Sequence, residues 1–149
     1  IDVVVSVAGH LTWQEVFESG AWKNIFRGYA LRNKLVRQGA EGKEARLAFF
    51  KEQANLEAVG ALQIVDRLIP RPLLLMVGDR DPFIPLSASE RLYERAKALY
   101  TEGGYSADGR VNLFIGEGEG HSFNNSMQRI AIDWFNEWFA DDLDPLRAD

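Results

Sequence analysis

Apolar and polar positions alternate along this chain in blocks that read as strands and helices in turn. Leu73-Leu74-Leu75-Met76-Val77 are five consecutive large apolar residues bounded by Pro72 and Gly78, which predicts a strand covered on both faces. Residues 1–9 are rich in β-branched side chains and end in Gly9, so they predict a second buried strand. Val111-Asn112-Leu113-Phe114-Ile115 predicts a third, stopped by Gly116-Glu117-Gly118-Glu119-Gly120. From residue 12 to 57 the pattern is helical. Thr12-Trp13-Gln14-Glu15 is a capping box, and further helices are expected over 21–38 and 43–56. A short helix over 62–68 should lead into the central strand. Ser87-Ala88-Ser89-Glu90 is another capping box, opening a helix with Leu92, Tyr93, Ala96, Leu99 and Tyr100 on its apolar face. Residues 101–109 contain three glycines and read as a surface loop. The last helix, capped by Asn124 or Asn125, carries Met127, Ile130, Ala131, Trp134, Phe135, Trp138 and Phe139 as one stripe. The acidic tail from Asp141 onward is expected to be solvated.

Strands that alternate with helices imply parallel pairing through crossover connections, an α/β fold. Three strands make a poor free-standing sheet. The expected architecture is therefore about half of a larger α/β unit, its open edge completed by an N-terminal half or by a second copy of the chain.

Composition narrows the partners. With 149 residues the chain suits one domain. Its formal net charge of −5 and its scattered lysines and arginines argue against nucleic acid. Cysteine is absent, which excludes disulfides, thiolate catalysis and cysteine-ligated metals. No apolar run approaches the roughly 20 residues of a membrane span, and no leader is visible, so no membrane association and a cytoplasmic location are expected. The chain opens at Ile1 inside a strand, without methionine. Further sequence upstream is expected for that reason.

The candidate chemistry lies where strands end. Asp81 follows the central strand and His121 follows the next, so a parallel sheet places both on its carboxyl-end rim. An aspartate that accepts a hydrogen bond from one imidazole nitrogen fixes the tautomer and leaves the other nitrogen as general base. The glycines around His121 allow the sharp turn that such a placement needs. An isolated aspartate in a turn is more often a turn-former or cap; the paired context points to Asp81 as a functional acid and to Asp79 as its structural neighbour.

Gly78-Asp79-Arg80-Asp81-Pro82-Phe83-Ile84-Pro85 resembles the acid turn of the α/β-hydrolase superfamily, Gly-x-x-Asp followed by an apolar-Pro segment. Gly118-Glu119-Gly120-His121-Ser122-Phe123 is similar to the same superfamily's histidine turn. The lead-in Arg71-Pro72-Leu73-Leu74 resembles the dienelactone-hydrolase and prolyl-oligopeptidase-like branches. The resemblance spans about residues 1–139 and implies the C-terminal half of that fold. By it, residues 1–11 and 58–149 would be core, and 12–57 a helical cap or lid. It also implies hydrolysis of an ester, thioester or amide through an acyl-enzyme, with Asp81 orienting His121. The substrate would be a small ester or acyl compound, with no cofactor and no metal.

One part of the expected machinery is missing. No Gly-x-Ser-x-Gly elbow occurs. Ser6 is flanked by Val4 and Ala8 where the glycines would stand, and branched residues oppose so tight a turn. Ser122, beside the histidine, is no better placed. The isolated chain is therefore expected to be inactive, with its serine elsewhere, or to persist as a non-catalytic binding or assembly module. His10, Trp13 and Phe83 are candidate substrate contacts, and Trp22, Phe26, Phe49 and Phe50 read first as the packing of the helical insertion. A third reading takes Asp79 and Asp81 as the metal-binding pair of a haloacid-dehalogenase-like phosphatase. It lacks the Asp-x-Asp strand that such a site needs.

Overall fold

A computed structural model describes residues 3–8, 48 and 60–142. Three strands, β1 (Val4–Val7), β2 (Leu73–Gly78) and β3 (Val111–Gly116), form one sheet in the order β1-β2-β3. Both pairings are parallel, and Leu75 stands level with Ser6 on one side and Leu113 on the other. A helical turn, α1 (Ala61–Ile64), runs into a 3-10 turn (Val65–Leu68) ahead of β2. Helix α2 (Leu86–Glu102) joins β2 to β3, and α3 (Asn125–Asp142) follows β3. The α/β class expected from the sequence is the one observed. The helical segment expected over 12–57, with Trp13, Trp22, Phe26, Phe49 and Phe50, lies outside the described residues apart from residue 48.

The strand period of two explains the layering. Along β2, Leu73 and Leu75 pack with Ala88, Leu92, Ala96 and Tyr100 of α2, while Leu74 and Met76 pack with Met127, Ala131 and Trp134 of α3. Every residue of β2 is buried, which is why its sequence is uniformly apolar rather than alternating. Each such leucine contributes about 1.5–3 kcal/mol of transfer free energy. Strand β1 is half-buried at all four positions. Its Val4 belongs to the α2 side, and Val5 and Val7 to the α3 side. Among the described residues no strand pairs with its other edge.

The helix starts show which local signals held. Asn124 caps α3: its Oδ1 accepts the amide of Met127 at 2.9 Å. The Ser87–Glu90 capping box is not used. Helix α2 begins two residues earlier, after Pro85, whose carbonyl accepts the Ala88 amide at 3.0 Å and which makes no side-chain cap. Pro85 has φ −60° with an extended ψ, so it supplies the non-helical residue before the first turn. Ser87 thus falls inside that turn. Helix α2 also runs to Glu102, two residues into the expected loop. No helix among the described residues is long and apolar enough to cross a membrane.

Candidate functional site

Parallel register brings β2 and β3 to the same height. Gly78 and Gly116, their last residues, are register partners, and the two turns leave the sheet side by side. They are stitched together by backbone hydrogen bonds. The amides of Asp79 and Arg80 donate to the carbonyls of Gly116 and Glu119 at 3.1 and 2.9 Å. Asp79 adds a side-chain clasp, its Oδ1 accepting the Gly118 amide at 2.7 Å. The histidine turn passes so close over β2 that a Cβ on Gly78 would lie 2.3 Å from the Glu119 carbonyl oxygen and 2.5 Å from that of Gly120. Only glycine fits there. Gly118 has φ +74°, a left-handed conformation that side-chain-bearing residues adopt at a cost.

Asp81 uses its two oxygens differently. Oδ1 accepts the amides of Phe83 and Ile84 at 2.8 and 3.0 Å, the turn-forming behaviour common for this residue type. Oδ2 lies 2.8 Å from His121 Nδ1. The Asp81 side chain is 1% exposed and that of His121 is 47% exposed. A carboxylate only accepts hydrogen bonds, so Nδ1 of His121 carries the proton and donates it. In the neutral ring Nε2 then keeps its lone pair. A buried carboxylate needs this saturation, because an unpaired charge out of water is costly. The Phe83 ring stands edge-on to the imidazole, with centroids 4.8 Å apart and planes at 66°.

The other sequence-derived candidates fall elsewhere. Ser6 lies within β1 opposite Leu75, three residues below the level of Gly78. The Ser122 hydroxyl donates to Glu119 Oε2 at 3.3 Å. Phe83, expected as a substrate contact, lies on the same rim with its ring against that of His121. His10 and Trp13 lie outside the described residues. Asp79 and Asp81 are spent on separate hydrogen bonds. Among the described residues no group of three or more His, Cys, Asp or Glu side chains is placed to hold a metal ion.

Sequence reasoning did not reach the Asp79–Gly118 clasp or the docking role of the Glu119 carbonyl. Both depend on how two loops meet that are 39 positions apart in the chain, and the only hint was the density of glycines.

No family model matches this chain, and no curated protein matches it. Among solved structures, TT1662 from Thermus thermophilus aligns at 23% identity with a TM-score of 0.45. The alignment covers 65% of this chain and 35% of that one.

Proposed function

We propose that this chain is the acid–histidine part of a serine hydrolase of the α/β-hydrolase type, acting on an ester, thioester or amide. The observation that carries the reading is the 2.8 Å bond from His121 Nδ1 to a carboxylate that is otherwise saturated and almost fully buried. That arrangement leaves Nε2 as a base on a half-exposed ring at the carboxyl-end rim, where α/β sheets bind ligands. The two turn sequences, Gly78 to Pro85 and Gly118 to Phe123, support it independently of the geometry.

In this mechanism Nε2 takes the proton of a serine hydroxyl as the oxygen attacks the substrate carbonyl. Asp81 stabilises the imidazolium that forms. The proton then passes to the departing alcohol, thiol or amine as its bond to carbon breaks, leaving an acyl-serine. A water, deprotonated by the same nitrogen, hydrolyses the acyl group. The serine belongs to a Gly-x-Ser-x-Gly elbow that these 149 residues do not contain. The same reading assigns a neighbouring strand, from an N-terminal segment or a second copy, to the outer edge of β1.

The test is hydrolysis of short-chain p-nitrophenyl esters by the full-length gene product. Replacing His121 by alanine should lower kcat by about 10³-fold or more. Equal rates in the two proteins would overturn the reading, and no hydrolysis by the intact product would favour a binding or assembly role.

A further inference from the structure

We infer that Phe83 is a positioning residue that couples the acid to the histidine, its backbone holding one and its ring the other. The Phe83 amide donates to Asp81 Oδ1 at 2.8 Å, and the ring meets His121 at 4.8 Å between centroids. The importance of the second contact follows from the first bond's insufficiency. One hydrogen bond at Nδ1 fixes a point on the imidazole but not its plane. The terminal torsion of histidine is broad and roughly two-fold, and this ring is 47% exposed, so solvent offers no wall. An aromatic edge at 66° is a directional contact, because the positive rim of one ring seeks the negative face of another. An aliphatic side chain of similar size fills the space without that preference. Because the Asp81 clamp uses the backbone amide of residue 83, changing the side chain removes the ring contact and spares the hydrogen bond to the acid.

The catalytic consequence rests on the function proposed above, whereas the positional claim can be measured without any turnover. The full-length protein is labelled with ¹⁵N-histidine, and the His121 signals are identified by their loss in His121→Asn. The wild type should show the Nδ1-protonated tautomer, a slowly exchanging Nδ1 proton, and cross-relaxation between the His121 and Phe83 rings. Phe83→Leu should broaden or remove the Nδ1 proton signal and mix the tautomers. Phe83→Tyr, which restores an aromatic ring, should recover both.

In ester hydrolysis, Phe83→Leu should lower kcat by about ten-fold with KM little changed, and Phe83→Tyr should return most of it. A Phe83→Leu spectrum indistinguishable from wild type overturns the inference, as does failure of Phe83→Tyr to recover the signals. If Phe83→Leu does not fold, the wild-type measurement decides alone: no cross-relaxation between the two rings refutes the coupling. Loss of the Nδ1 proton in Phe83→Leu, combined with full activity in His121→Ala, would keep the coupling and sink the hydrolase reading instead.

Discussion

Two buried polar groups sit at opposite ends of the sheet, and they end differently. At the amino end, Tyr100 is 0% exposed and its hydroxyl donates to the Arg71 carbonyl. That bond stops at backbone. At the carboxyl end, the Asp81 side chain is as deeply buried, but its last hydrogen bond passes to a ring that is half in solvent. The first arrangement ties α2 to the segment entering β2, and every group in it is committed to structure. The second leaves Nε2 of His121 without a hydrogen-bond partner among the described residues. Burial by itself therefore does not separate the two groups; what separates them is that the hydrogen bonding of Asp81 continues outward to the half-exposed ring of His121.

Asp81→Asn breaks the second arrangement while sparing its shape. The amide oxygen can still accept from Phe83 and Ile84, but the NH2 group turned to His121 forces the other tautomer. Activity of the full-length protein should fall by about 10³–10⁴-fold, with thermal unfolding shifted only slightly. A loss of activity in proportion to a loss of folded protein would instead put Asp81 in the same class as Tyr100.

Gly78→Ala tests whether the two rim turns must touch. The new Cβ would fall within 2.5 Å of two carbonyl oxygens of the histidine turn, so that turn must lift. A destabilisation of about 3 kcal/mol is expected, together with loss of the Nδ1 proton signal of His121. Unchanged stability in denaturant titration would show that the turns are not docked.

Tyr100→Phe addresses the closed end and should be the mildest change. Losing the bond to Arg71 should cost about 1–2 kcal/mol and leave ester hydrolysis unaltered. Its pH dependence has a definite sign. Burial raises the Tyr100 phenol above its ordinary 10.0, partly opposed by Arg110 and Arg71. Its stabilisation is fully present below the unfolded-state value and is lost as pH rises toward and through the folded one. The stability gap between wild type and Tyr100→Phe should therefore be constant near neutrality and narrow as pH rises past 10.0. A gap that widens there would contradict a buried neutral phenol.

Much of this contrast is legible in the amino-acid sequence, for reasons that differ by region. The uninterrupted run Leu73 to Val77 announces a doubly covered strand because burial on both faces leaves no polar position. Leu92, Ala96 and Tyr100 announce the inner face of α2 because their spacing follows the helix. The proximity of Asp81 and His121 follows from topology, since adjacent parallel strands deliver their following residues to one rim. What stays hidden is contact between loops. Nothing local in Phe83 says that its ring meets His121, and nothing local in Tyr100 names the Arg71 carbonyl. The capping box at Ser87 misleads for the complementary reason: a strong local pattern is overruled by Pro85, which starts the helix two residues sooner.

The level pairing of Gly78 with Gly116 has a consequence for engineering. Both turns spring from one baseline, so their lengths, three residues from Gly78 to Asp81 and five from Gly116 to His121, act as a pair of rulers that set where the two side chains meet. Lengthening either by one residue would dephase the pair while leaving the three strands in register.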